Sequence, residues 1–344
     1  MKLDPRYAYM TAYLKGEEAK SAGGNHIDRM TRATNLSDAI GILSGTDVGS
    51  FLQGTGANSF EDIDRALWEY FAGRIACVEQ FRCIPADMLS ISSSFLIKYD
   101  IANVKAVLDA MATGEAPSLI PLGVLHNESL LEDMCASETM EDVANVLTRA
   151  RLPALIEAVM VYDPEKGPAQ KMKVESSLES EYYRAMMTTA RKIRDGEVLL
   201  KAYGLIIDLA NLSIVCRAIV AGFGSSAGDS LIIGGYLIDE KALRGMLPHN
   251  LSDAVRRMGI PQYRDVLGEI AVRYEHSRSA AVIEELIERH KHATLRELLS
   301  PHALSPLVMA WYLVFKEIEI RNVRILLNAV CEGADMEEIR RYLL

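Results

Sequence analysis

Asp208-Leu209-Ala210-Asn211-Leu212 is one of three copies of a pattern that decides the fold. The others are Asp100-Ile101-Ala102-Asn103-Val104 and Glu319-Ile320-Arg321-Asn322-Val323, so the shared form is acid-x-x-Asn-aliphatic. Around each copy apolar residues recur every three or four positions. The first set is Ile97, Ile101, Val104, Val107, Leu108 and Met111, and the second is Leu205, Leu209, Leu212, Val215, Cys216 and Ile219. The third, Ile320, Val323, Leu326, Leu327 and Val330, loses its first position to Lys316. This spacing lays each set along one face of an α-helix. Full burial of an aliphatic side chain contributes ~1.5–3 kcal/mol, so the three stripes are expected in the core.

A second motif precedes each copy. Asn35-Leu36-Ser37-Asp38-Ala39-Ile40 and Asn250-Leu251-Ser252-Asp253-Ala254-Val255 match closely, and Thr139-Met140-Glu141-Asp142-Val143-Ala144 matches more loosely. Each reads as a helix start, with a side-chain oxygen placed to accept from the free N–H groups of the first turn. Roughly 70 residues separate the first motif from the Asn of the second in all three cases. Shared order and shared offset predict a threefold repeat of roughly 105 to 110 residues. It divides the chain into 1–112, 113–221 and 222–344. Between the motifs, 61–80, 174–195 and 280–299 are charged, periodic and helical in pattern. Polar turns at 114–121 and 222–229 lead into Leu122-Gly123-Val124-Leu125 and Gly234-Gly235-Tyr236-Leu237. No rhythm of alternating strands is visible, and the expected fold class is all-α.

The 344 residues carry 37 Lys and Arg against 47 Asp and Glu, a net charge of −10. Binding phosphates by counterion release needs clustered cations, and no such stripe occurs. An acidic chain also gains nothing from an anionic leaflet. Neither nucleic acid nor direct lipid insertion is expected. The opening, Met1 to Arg6, has no apolar core of a signal sequence. The most apolar run, Leu307 to Phe315, is far short of the ~20 residues that span a bilayer, which predicts a soluble chain. Five cysteines, Cys77, Cys83, Cys135, Cys216 and Cys331, lack metal-finger spacing and read as reduced core thiols.

Nothing assembles a reaction centre. There is no phosphate-cradling Gly-rich loop ending in Lys, and Gly222-Phe223-Gly224 lacks a dinucleotide fingerprint. His290-Lys291-His292 puts its histidines on different helical faces, a solvated stretch rather than a metal pair. Ser92-Ser93-Ser94 has no nucleophile-elbow glycines and reads as a turn or cap. Glu284-Glu285 and Glu337-Glu338 read as solvated faces. Asp100, Asn103, Asp208, Asn211, Glu319 and Asn322 are the repeat's structural residues, since an amide beside an apolar stripe fixes packing by bonding a neighbouring backbone. No catalytic, cofactor-binding or metal-binding residue is predicted. Gly123, Leu125, Gly235 and Leu237 are the candidate interface.

The stretch from Trp311 to Arg324, an apolar helix running into Lys316-Glu317-Ile318-Glu319-Ile320-Arg321-Asn322-Val323-Arg324, resembles the C-terminal signature of the C/d-type stalk proteins of archaeal and vacuolar rotary ATP synthases. Tyr7 to Lys15 is similar to that family's aromatic first helix. Gly23-Gly24-Asn25 and the glycine-heavy stretch 222–235 depart from its pattern. The resemblance implies three similar helical bundles arranged as a pseudo-threefold funnel. It implies no catalysis, and a socket joining the central-shaft subunits to the membrane rotor (proteolipid) ring of an ion-transporting ATPase. The setting it implies is peripheral, on the cytoplasmic face of the membrane. Two rivals make different demands. A generic helical-repeat interaction scaffold requires an open solenoid, and an enzyme requires nonequivalent polar residues converging in one pocket.

Overall fold

A computed structural model describes residues 5–56 and 59–344. The opening Met1-Lys2-Leu3-Asp4 of the signal-sequence reading lies outside them. The described residues form helices and turns, with no strand among them. In chain order the α-helices are α1 (Ala8–Ala19), α2 (Gly24–Met30), α3 (Leu36–Ile42), α4 (Asp47–Thr55), α5 (Phe60–Glu79) and α6 (Ala86–Thr113). Next come α7 (Val124–Asn127), α8 (Leu131–Cys135), α9 (Met140–Arg149), α10 (Pro153–Met160), α11 (Pro168–Ala190) and α12 (Gly196–Ala221). The last six are α13 (Glu240–Met246), α14 (Leu251–Arg257), α15 (Pro261–Ser277), α16 (Ala281–Leu299), α17 (Leu307–Glu332) and α18 (Met336–Ile339).

Local sequence explains where helices begin and stop. Asn35 accepts from the Asp38 N–H and Asn250 from the Asp253 N–H, each at 2.9 Å. Thr139 and Asp142 exchange bonds as a capping box. The helices bearing the repeated asparagines, α6, α12 and α17, all end on a glycine in the left-handed region: Gly114, Gly222 and Gly333. A Cβ there would be strained, so these three positions stop the helices and turn the chain back.

The six longest helices pack in pairs: α6 against α11, α12 against α16, and α17 against α5. The short helices follow the same order. α7 and α8 lie on α6, α13 and α14 on α12, and α2 and α3 on α17. The apolar stripes face inward, with Val104, Leu212 and Val323 completely buried. One core cluster takes in both the first hundred residues and the last third of the chain. A second gathers the later half of α6, α7 to α10 and the start of α11 around Val104, Leu125, Leu147 and Val159. α12 alone among the described helices is long and apolar enough to cross a membrane, and that stretch is mostly buried inside the protein.

Four expectations need correction. Ser92-Ser93-Ser94 lies inside α6, where Ser93 bonds the Leu89 carbonyl and Ser94 the Thr189 hydroxyl of α11. Only Cys216 is a core thiol; the other four cysteines are exposed, because they fall on outward faces or chain turns. Glu285 is buried, held by the Arg273 guanidinium at 2.6 and 2.7 Å and by Arg289 at 3.0 Å, while its neighbour Glu284 stays at the surface. Lys291 and His292 turn into a cavity rather than toward open solvent.

Candidate functional site

Three carboxylate–amide pairs sit midway along α6, α12 and α17. Asn103 donates to the Ile120 carbonyl at 2.9 Å and accepts from the Ile120 N–H at 2.7 Å. Asn211 does the same with Ile232, at 2.8 and 2.7 Å, and Asn322 with Leu344, at 2.8 and 3.0 Å. Each amide thus satisfies both backbone groups of one residue in a returning segment, which is the accounting a buried turn demands.

One helical turn earlier the acids hold the continuation of the same segments. Asp100 accepts from Val124 and Leu125 N–H at 3.0 and 2.9 Å. Asp208 accepts from Tyr236 at 3.1 Å, Leu237 at 2.8 Å, Ile238 at 3.4 Å and the Tyr263 hydroxyl at 3.1 Å. Burial drives the Asp100 carboxyl up to about 6 even though the Leu125 and Val124 N–H groups pull it down. Asp208 is raised by the same cause, opposed by its four donors. The glycines before these segments make the approach feasible. A Cβ on Gly123, whose φ is +92°, would stand 2.4 Å from Asp100, and one on Gly235 would stand 2.2 Å from Asp208.

The third acid solves the problem differently. Glu319 accepts from the Ala22 N–H at 2.6 Å and from Lys316 Nζ at 2.8 Å. Lys316, with 0% exposure, also bonds the Ser21 hydroxyl at 2.7 Å and the Tyr70 hydroxyl at 3.1 Å. Ala22 immediately precedes Gly23-Gly24, the glycines that depart from the expected family pattern.

The six longest helices together wall a cavity of about 430 Å³. Its charged lining is Lys98 and Lys105 from α6, Glu179 from α11, Glu288 and Lys291 from α16, and Glu317, Arg321 and Arg324 from α17. These charges are mutually paired. Lys98 meets Glu317, Lys105 meets Glu179, and Lys291 reaches Glu288 at 2.9 Å. Arg324 pairs with Asp64 of α5 while stacking 4.8 Å from the Trp68 ring. Lys98 also lies 4.1 Å over Phe95, and the Tyr99 hydroxyl donates to Glu317 at 3.0 Å. The Tyr182 and Tyr203 hydroxyls bond at 2.8 Å. Burial lifts the Glu288 carboxyl, but Lys291, His292 and Arg321 outweigh it and bring it down to about 2. His292 is lowered by burial, only partly offset by Glu288. Glu288 and Lys291 thus form a fixed ion pair at neutral pH, and burial pushes His292 toward its neutral form.

The signature on α17 divides between these two places. Lys316, Glu319 and Asn322, three residues apart, form the buried row. Glu317, Arg321 and Arg324 face the cavity. Nothing in the sequence singles out the cavity residues Lys98, Tyr182 and Tyr203 on other helices, and His292 stands out there only as part of a stretch that reads as solvated; the nearest signal is Lys98, which stands just before Asp100. Of the interface candidates, Leu125 is fully buried and Gly123 is packed on Asp100, whereas Leu237 is 42% exposed. Beside Leu237 and Gly235, Ile233 at 88% exposure and Tyr236 add to an apolar loop tip. No cluster of three metal-binding side chains occurs among the described residues.

The described residues thus form an all-helical protein with a charged, largely self-paired cavity and buried acids that hold backbone N–H groups. It belongs to the ATP synthase (C/AC39) subunit family, whose model matches residues 10–342. Among its relatives is the C-type subunit of the A-type ATP synthase from Methanocaldococcus jannaschii, 24% identical over 98% of this chain and 86% of that protein. The corresponding A-type ATP synthase proteins of Thermococcus onnurineus and Thermococcus kodakarensis are 24% and 23% identical, over 97% and 98% of this chain and 89% and 90% of theirs.

Proposed function

We propose that the chain is a non-catalytic rotor-coupling subunit of an ion-translocating A/V-type ATPase, a socket between the central shaft and the membrane rotor ring. The observation that carries this reading is the cavity to which all six of the longest helices contribute. In this reading three helical units surround it as a pseudo-threefold funnel, with α6, α12 and α17 as spines. The small helices of one chain segment complete the bundle on the spine of another, and α2 and α3 complete the one on α17. Family membership, and relatives named as members of the A-type ATP synthase, support the same assignment. Torque transmission needs a body that resists twist; the ion pairs Lys98–Glu317, Lys105–Glu179 and Arg324–Asp64 cross-link helices, and the asparagine side chains fix a returning segment to each spine.

The shaft proteins and the proteolipid ring are the proposed partners, with the chain peripheral on the cytoplasmic face of the membrane. The exposed loop tip around Gly235 and Leu237 is the proposed docking segment toward them; Gly123 serves it only indirectly, by letting its own segment seat on Asp100. The test is an assembled complex with and without this chain. Without it, ATP hydrolysis should persist while hydrolysis-driven ion transport is lost, and adding the chain back should restore transport. Transport that survives removal, or ATP turnover by the isolated chain, would defeat the proposal.

A further inference from the structure

The three asparagine seats differ in what lies behind them. At α6, Asn103 and Asp100 grip residues 120 and 124–125 of one continuous connection. At α12, Asn211 and Asp208 likewise grip 232 and 236–238. If one bond breaks there, a few residues of backbone still tether the segment to the other anchor, so reclosure carries little loop entropy. At α17 the two grips fall on unconnected segments: Asn322 holds Leu344, and Glu319 holds Ala22. No short stretch of chain joins these two points.

The segment after Gly333 bridges them by contacts alone. Arg340 donates to the Thr31 hydroxyl, at the end of α2, at 2.8 Å, and the Arg341 carbonyl accepts from Arg289 of α16 at 2.8 Å. Its apolar anchors, Met336, Ile339 and Leu343, are only partly buried, and Glu337 and Glu338 are exposed. Few buried contacts and exposed backbone are the marks of a segment that opens locally at low cost.

We propose that residues 334–344 are a strap, latched by Asn322, that holds segment 20–31 against α17, so that the molecule opens first along this one seam. The inference concerns the fold's own mechanics and does not depend on which partners the molecule couples. Hydrogen–deuterium exchange on the full chain tests it. In Asn322→Ala, exchange should accelerate on the order of tenfold in both 334–344 and 20–31, while 118–126 and 230–238 keep wild-type rates. Arg340→Ala, a surface change that leaves the core untouched, should produce a smaller acceleration in the same two segments. Asn103→Ala should act only on 118–126. Unchanged exchange of 20–31 in both seam variants, or equal acceleration at all three seats, would overturn the strap.

Discussion

Asp208 and Glu319 occupy corresponding places on α12 and α17, three residues before an asparagine, yet they stabilise a buried negative charge by opposite means. Asp208 is surrounded by three backbone N–H groups, all supplied by the connection that returns directly after α12, and by the Tyr263 hydroxyl of α15. Glu319 has one backbone N–H and a buried lysine. The difference follows from geometry. A connection that folds straight back can wrap several successive N–H groups around a carboxylate, as at a helix N-terminus. A segment arriving from the far end of the chain presents fewer, and a cation on the same helix makes up the deficit. Lys316, which interrupts the apolar stripe, is the residue that makes this exchange possible.

The largest effect should come from removing that cation. Lys316→Met keeps most of the volume but leaves Glu319 buried with a single donor, and one-sided loss of a buried ion pair costs about 3–5 kcal/mol. Lys316→Met combined with Glu319→Leu removes both charges and should recover most of the loss. Denaturant unfolding of the wild type and both variants checks this. A single variant no less stable than the double would mean that Glu319 is not dependent on Lys316, and the contrast with Asp208 would lose its basis.

The backbone-wrapped acids should instead be sensitive to glycine. Gly123→Ala demands a left-handed conformation from alanine and puts a methyl group 2.4 Å from the Asp100 carboxylate. Strain and displacement together should cost about 2–4 kcal/mol in thermal or denaturant unfolding. Gly23→Ala, near the Glu319 seat, has open space at its Cβ and should be almost silent. Equal costs at the two glycines would show that the seats at α6 and α17 are built alike after all.

Much of this architecture is legible in the residues. The acid-x-x-Asn pattern, its stripes and the capping motifs depend on periodicities of three and four and on local caps, both of which a sequence displays directly. What the sequence hides is the answer each polar group receives. Lys316 reads as an interruption of a stripe until Ser21, Tyr70 and Glu319 are seen around it. Glu285 reads as solvated until Arg273 arrives from α15. The cavity is invisible for the same reason: its lining is drawn from six helices spread over most of the chain, and each contributes only a turn or two. Gly23-Gly24 reads as a departure from pattern, yet it follows the residue that Glu319 grips, much as Gly123 and Gly235 accompany the segments held by Asp100 and Asp208.

The smallest effect is the one that separates the acids by pH. Burial raises the folded Asp100 carboxyl to about 6 from its ordinary 3.8, so between those values the native state binds a proton that the unfolded chain has released. Stability then falls as pH rises through this window, by about 2–3 kcal/mol, and the cost stays constant above it. Glu288, lowered to about 2, acts in the opposite sense: its stabilisation is present above the ordinary glutamate value and is lost as pH falls toward 2. Total stability mixes these contributions, but the difference between wild type and Asp100→Asn isolates the first, because both proteins share every other group. Measured by denaturant unfolding, the wild type's stability relative to the variant should decline from about pH 4 to about 6.5 and then level off. A difference that is flat, or that climbs with pH, would mean that the Val124 and Leu125 N–H groups outweigh burial. Asp100 would then be a stabilised anion in the native state, with its backbone donors fully compensating the loss of water that the geometry at α6 imposes.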